Sequence, residues 1–318
     1  MGPEFYRILK GIVTNPLSIV GTSLITFFIV VAIFAPLIAP PTNARDPYVV
    51  PRDGFSPTPK APGTEWKTRP PEIPLWFGLI GRESWTHVFG TTGGQWDLFY
   101  GVVWGTRTAL KVGLTVEGLC LVVGILVGSL SAFYGKWVDE VLMRITEIFI
   151  AFPFLMAALT LSAILTPVIG KGIWPPLIAM VAFSWMGYAR IIRGDILSVR
   201  ERDFVMAARV IGVKDRRIIM KHIIPNAVYP TLILASMNIG GDVISFAALS
   251  FLGIGTEVGY ADWGQMISFA RNWIPSLATY WYIVVYPGLA LAMFTLGWNL
   301  VGDALRDIMD PRLRGRGV

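Results

Sequence analysis

Apolar runs long enough to cross a membrane recur along this chain, separated by short charged or proline-rich stretches. A spanning helix needs about 20 mostly apolar residues to match a hydrocarbon core of about 30 Å. Residues 16–39, PLSIVGTSLITFFIVVAIFAPLIA, form the first such run, inside a stretch from Gly11 to Ala44 without charge. It is too long, and too far after Arg7 and Lys10, for a cleaved signal peptide, and the cluster from Pro36 to Pro41 replaces a small-residue cleavage site. The second run, about Thr108 to Tyr134, contains Lys111 and Glu117 and carries small residues at 113, 118, 124, 128, 129 and 131. Small residues let helix backbones approach closely in lipid. The third, Ile148 to Gly170, contains Pro153 and Pro167, and the fourth, Gly172 to Ala189, begins at Trp174, Pro175 and Pro176. The fifth, about Ala227 to Gly255, carries Asp242. The sixth lies between Arg271 and Asp303, with Tyr280, Trp281, Tyr282 and Tyr286 at one end as an interfacial belt.

Six spans place both termini on one side. Arg7, Lys10, the arginines at 190, 193, 200, 202 and 209, and Arg306, Arg312, Arg314 and Arg316 then share that side, which the positive-inside rule makes cytoplasmic. The stretch 41–104 falls outside. The ten prolines from Pro40 to Pro74 favour irregular backbone, and Trp76, Trp85, Trp96 and Trp104 are expected to pack the loop onto the membrane face rather than to meet a partner, while Trp66, Trp76, Trp85 and Trp96 suit sugar stacking and loop packing equally.

Composition agrees with a polytopic, all-helical membrane protein: of 318 residues 54% are hydrophobic and 15% charged, with a mean hydropathy of +0.59. Ordinary soluble domains are about a quarter charged. The net charge of +6 follows the spans and has no nucleic-acid-binding context. Cys120, the single cysteine, forms no intramolecular disulfide and reads as a small packing residue. His87 and His222 fall on opposite faces, so together they form no metal site, and no phosphate-cradling, nucleophile-elbow or zinc-protease pattern is present. The chain is therefore expected to have no catalytic residue, no metal and no cofactor of its own. An ion-coupled carrier or channel would place acids inside its spans, and here these are Glu117 and Asp242.

One segment stands apart. FVMAARVIGVKDRRIIMKHIIPN, residues 204–226, sets Arg209, Lys214, Arg216, Arg217 and Lys221 around Gly212. Asp203 to Val210 reads as a short helix, Gly212 as a break with positive φ, and Lys214 to Ile223 as a second helix ended by Pro225. The pair makes a knob, with Ile218, Ile219 and His222 to Ile223 as an apolar edge and Arg216, Arg217 and Lys221 pointing elsewhere.

M-A-A at 206–208, Gly212 and H-I-I-P at 222–225 resemble the E-A-A-x-x-x-G-x9-I-x-L-P coupling motif of ATP-binding-cassette importer permeases, with Met206 in place of glutamate and His222 in place of isoleucine. NPLSIVG (15–21), FAPLIAP (34–40), WVDEVLMRITEIFIAFP (137–153), SWMGYARIIRGDILSVRERDFVMAARVIG (184–212), AALSFLGIG (247–255) and NLVGDALRDIMDPRLRGR (299–316) are similar to the dipeptide and oligopeptide permease family, C-type subunit. The resemblance implies a type I importer in a prokaryotic plasma membrane. Two permease subunits would form a heterodimer, two ATP-binding subunits would use ATP and magnesium, and an extracytoplasmic binding protein would deliver peptide. Oligosaccharides or a nickel chelate are the alternative cargoes of such machinery.

The resemblance carries coupling to Phe204, Met206, Ala207, Ala208, Gly212, Arg216, Arg217, Ile218, His222 and Pro225, and the pore or gate to Asn238, Asp242, Ser245 and Phe246. Phe246 stands where family members often carry glutamate, with Asp242 one turn earlier. FGTTGGQWDLFYGVVWGTRTAL (89–110) retains only Asp97 of the family's acidic and Gly-Arg-Asp pattern. The expected division is residues 1–40 for the cytoplasmic start and first span, 41–104 for the outer loop, 105–305 for a five-helix core with its coupling loop at 200–226, and 306–318 for a cytoplasmic tail.

Overall fold

The computed structural model describes residues 15–43, 45–68, 74, 76–77 and 85–309. Helix α1, Pro16–Ile38, starts where the Asn15 side chain accepts the Leu17 N–H at 3.0 Å. Its buried stripe is small or slim (Ser18, Gly21, Ala32, Ala35), with Phe28 as its one large member, while Phe27, Ile33 and Leu37 are left on the outside, as lipid requires.

Helix α2, Leu98–Tyr134, begins ten residues before the expected Thr108. The Asp97 carboxylate accepts the Tyr100 N–H at 2.7 Å and caps the helix, so residues 98–104 belong to α2 and not to the loop. At about 1.5 Å per residue its 37 residues reach about 55 Å, well beyond one hydrocarbon core. Packing against α6 is tight at Gly124 and Gly128, where an added Cβ would lie 2.4 Å from Cβ of Tyr188 and 2.5 Å from the Ala189 carbonyl oxygen. Gly118 has open space instead, so it is not one of the packing positions.

The expected third span is broken. Helices α3, Lys136–Ile150, and α4, Phe154–Ile169, meet at 89° across Ala151 to Pro153, because proline has no N–H for the helix ladder and disfavours a helical residue before it. The fourth runs on past Ala189 as α5, Trp174–Ser184, and α6, Met186–Arg200. After the knob come α10, Tyr229–Phe251; α11, Trp263–Ser268; a 3-10 turn, Arg271–Ser276; α12, Leu277–Tyr280; and α13, Tyr282–Met309. Three short helices between α6 and α10 make up the knob. Among the described residues five stretches are long and apolar enough to cross a membrane, and the bent α3–α4 pair makes six. Helix α2 packs on α6, α10, α5 and α1, while α13 lies against α10 and α1. Cys120 is fully buried beside Val116, Leu177 and Met180.

The outer loop is an ordered cap rather than a loose strap. Val50 N–H donates to the Gly259 carbonyl at 2.8 Å and Ala261 N–H to that of Tyr48 at 2.7 Å, which fastens the loop to the segment before α11. Strands β1, Thr64–Glu65, and β2, Thr86–His87, pair antiparallel. The tryptophans pack it down: Trp85 and Trp104 are 1% exposed, and the indoles of Trp76 and Trp104 donate to the carbonyls of Ile38 and Ala39, each at 2.9 Å.

At its centre lies His87, fully buried. Nδ1 is 2.7 Å from Asp97 Oδ2 and Nε2 is 3.1 Å from Asp53 Oδ2. Asp53 also accepts the N–H groups of Lys67 (3.0 Å) and Thr68 (2.7 Å) and pairs with the Lys60 ammonium. Burial alone would raise the Asp53 carboxyl, but Lys60 and these donors hold it well below the usual 3.8. Asp97 therefore caps α2 with one oxygen and holds His87 with the other, joining loop to helix. Near it, Asp262 caps α11 by accepting the Gly264 N–H at 2.9 Å. Burial pushes this carboxyl up to about 6, against the pull of its hydrogen bonds.

His87→Ala would take one hydrogen-bond partner from each of two buried carboxylates that keep their other donors, a loss of about 1–3 kcal/mol. It should raise amide exchange across residues 85–97 while α6 stays protected, which hydrogen exchange measures; unchanged exchange would refute the clasp. For Asp262 the folded value lies above the ordinary 3.8, so folding favours the neutral form and stability falls as pH rises from about 4 through 6. Asp262→Asn keeps an accepting oxygen and removes that charge, so its Tm should lose the fall that the parent shows over this window.

Candidate functional site

The knob is braced to the membrane bundle before it begins. Arg193 of α6 holds Asp139 of α3 with two bonds, 2.5 and 2.6 Å, and the Ser131 hydroxyl at the end of α2 donates to the same carboxylate. Two parallel N–H donors on one carboxylate make this the strong, two-pronged form of the ion pair. Arg200 donates to the Ala132 carbonyl at 3.4 Å.

Helix α7, Asp203–Val210, follows after a two-residue turn. It ends as its sequence requires: the N–H groups of Ile211 and Val213 close on the carbonyls of Ala207 (3.2 Å) and Ala208 (3.1 Å), and Gly212 takes φ of 76°. Nothing lies within 4 Å of a Cβ placed on Gly212, so the backbone angle alone selects glycine there.

The second half departs from expectation. Helix α8, Asp215–Ile218, opens into a π-turn, Ile219–Ile223, and the chain continues as α9, Ile224–Ala227. Pro225 does not end the second helix; it sits in the first turn of α9, where a missing N–H costs little. In the widened turn the Ile224 N–H reaches back to the Ile219 carbonyl, which passes over the bond that proline at 225 cannot make.

The apolar edge also faces the other way. Ile218 (1% exposed) and Ile223 (3%) turn inward with Val205 and Ala208 onto Ala132, Ile192, Ile196 and Val199. Ala208 and Ile218 thus hold the knob to its own bundle and present nothing outward. The outward apolar surface of α7 and its turn is Phe204, Met206, Val210 and Ile211, the last two 86% and 78% exposed, and Met220 is exposed on the second half of the knob. Ala207, Arg209, Lys214, Arg217 and Lys221 are exposed around it. Val210 and Ile211 were missed; their signal is their place beside Gly212, at the tip where the chain reverses. The side chains of Arg216 and His222 lie outside the described residues.

The membrane candidates divide too. Asn238 of α10 donates to the Tyr188 hydroxyl at 2.6 Å. Asp242 is not isolated: its side chain lies beside Glu117 of α2, which also neighbours Tyr188, and one carboxylate oxygen of each acid is left without a hydrogen-bond partner. Three helices share this polar knot within the apolar bundle. Ser245 is half-buried one turn further along. Phe246, 2% exposed, packs with Val112, Val116 and Leu249, so it belongs to the core and not to a channel wall.

Residues 124–315 match the family described as binding-protein-dependent transport system inner membrane component. Residues 5–52 match the N-terminal TM domain of oligopeptide transport permease C. The dipeptide transport system permease protein DppC of Alkalihalophilus pseudofirmus is 34% identical over 96% of this chain and 89% of its own. The oligopeptide transport system permease protein OppC of Bacillus subtilis is 32% identical over 95% and 87%. Among solved structures, an inward-facing MetNI methionine ABC transporter chain superposes with a TM-score of 0.54 at 18% identity, covering 67% of this chain and 98% of that one, a likeness of fold alone. With its spans, its knob and these matches, the chain belongs to the family of binding-protein-dependent transport system inner membrane components.

Proposed function

We propose that this chain is the permease subunit of an ATP-driven importer that takes dipeptides or oligopeptides from an extracytoplasmic binding protein. The observation that carries the reading is the knob: a braced pair of short helices that buries one apolar face on its own bundle and leaves Phe204, Met206, Val210 and Ile211 outward. An apolar patch ringed by Arg209, Lys214, Arg217 and Lys221 suits a groove on a partner protein better than water. The positive-inside rule puts this end, and both termini, in the cytoplasm. Two ATP-binding subunits dock there and use ATP with magnesium, while this chain catalyses nothing and binds no cofactor. A second, homologous permease completes the pore, and peptide as cargo follows from the relatives' names.

Closure of the ATPases pushes on the exposed tip of α7. Because Ile218, Ile223, Val205 and Ala208 are locked onto α6 and the end of α2, the push passes to those helices. Met206 supports contact without the carboxylate of the motif, since a flexible thioether fits an apolar groove.

The knot of Glu117, Asp242, Tyr188 and Asn238 favours a second reading, an ion-coupled carrier or channel, since acids within spans often mark ion pathways. That reading expects solute flux from the purified chain alone in vesicles under an ion gradient; the importer expects none until ATPases and binding protein are added.

For coupling, Val210→Asp and Ile211→Asp should cut ATP-dependent peptide uptake in proteoliposomes by roughly tenfold or more, as loss of a buried apolar anchor at an interface does. Tm should be unchanged, because both side chains are exposed. Ile218→Asp should instead lower Tm, by burying a charge. Uptake surviving the first two substitutions would contradict the docking face.

A further inference from the structure

Between the knob and the ends of α2 and α6 lies a cavity of about 520 Å³. Its walls come from three places: Ser129, Ala132 and Phe133 at the end of α2, Ile196 and Arg200 on α6, and Arg209 with Ile218 and Ile223 on the knob. The walls are apolar apart from Ser129 and the two arginines, and among the described residues no acidic side chain lines them. The Ser129 hydroxyl is buried without a hydrogen-bond partner. Tyr134 stands at the rim, 61% exposed.

We propose that this cavity binds the phosphate of an anionic phospholipid, with the adjoining part of its acyl chains against the isoleucines. Two guanidinium groups bordering one space suit a phosphate, which each can grip with paired donors. The apolar walls, far more extensive than a free anion needs, suit the hydrocarbon that a lipid brings. The place is right as well. It lies at the end of spans rich in Arg and beside an aromatic, at the level where headgroups of the negatively charged cytoplasmic leaflet sit. That placement rests on the cytoplasmic orientation argued above; the chemistry of the cavity does not.

Arg200 is engaged by Glu201 at 3.4 Å, a long contact to a carboxylate 71% exposed. Such a surface pair is weak and is readily exchanged for a phosphate. Arg200 belongs to α6 and Arg209 to α7, so one phosphate bridging them ties the knob to the bundle. The lipid then acts as a wedge that fixes the angle at which the knob meets its partner.

The test compares hydrogen exchange over residues 203–227 in the full transporter complex, held in nanodiscs of phosphatidylcholine alone or mixed with phosphatidylglycerol. Phosphatidylglycerol should slow exchange there roughly fivefold, the effect of about one basic contact to an anionic surface. Arg200→Ala and Arg209→Ala should each remove the slowing, whereas Lys214→Ala and Lys221→Ala, outside the cavity, should keep it. Inorganic phosphate added to phosphatidylcholine discs should leave exchange unchanged. Equal exchange in the two lipids would overturn the proposal. So would persistence of the effect in the arginine variants, which marks a general surface-charge response, or its reproduction by inorganic phosphate, which marks a free-anion site. Should an alanine variant misfold, Arg209→Gln with native α6 protection serves in its place. Peptide uptake is not read in this experiment, so its failure leaves the importer reading standing, and the reverse also holds.

Discussion

Close approach of α2 to α6 is the constraint on which the remaining structure depends. In lipid there is no hydrophobic drive to bring apolar helices together, so association rests on packing, and packing needs backbones near one another. Gly124 and Gly128 supply the room, each with α6 atoms about where a Cβ would be. At the end of the same contact nearest the knob, Arg193, Asp139 and Ser131 close a charged clamp in which every partner is hydrogen-bonded. Without the first the second would lie too far apart to form, and without the second the knob would hang from α6 alone.

Helix α2 carries this order outward. Its first residues stand beyond the membrane, and Asp97 at its start is shared between the helix cap and His87. The outer cap, the long helix and the inner face of the knob are thereby linked through direct contacts, with the knot of Glu117 and Asp242 tying α10 in between. A buried network of this kind contributes little net stability compared with apolar packing, but it penalises any arrangement that separates its members. That suits a bundle that moves as one body rather than deforms.

Much of this was legible in the sequence because the bilayer imposes a simple rule on it. Charge-free runs mark the spans, Pro153 marks the break before α4, and Gly212 marks the reversal in the knob, each through backbone chemistry that acts locally. What was hidden depends on partners distant in sequence. Asp53, His87 and Asp97 look unrelated until the loop folds, so the start of α2 was placed ten residues late. Glu117 and Asp242 each looked solitary. The knob was misread for a different reason. Its helices are short and apolar on more than one side, so periodicity cannot say which side meets the bundle; only the positions of Ile192, Ile196 and Ala132 decide that Ile218 turns in and Val210 turns out. Pro225 reads as a stop in the sequence because a π-turn, which lets the chain pass a proline, leaves no clear mark there.

The central claim is that knob, α6 and α2 move together. The direct measurement is the distance between spin labels on Leu119 of α2 and Met220 of the knob, both exposed and both outside the contacts described. It is made in the assembled transporter without nucleotide and again trapped with an ATP analogue. The account predicts one distance distribution in both states, while distances from either label to the second permease subunit shift. A change of several ångström within this chain would show the knob moving independently of its bundle, and would contradict the account.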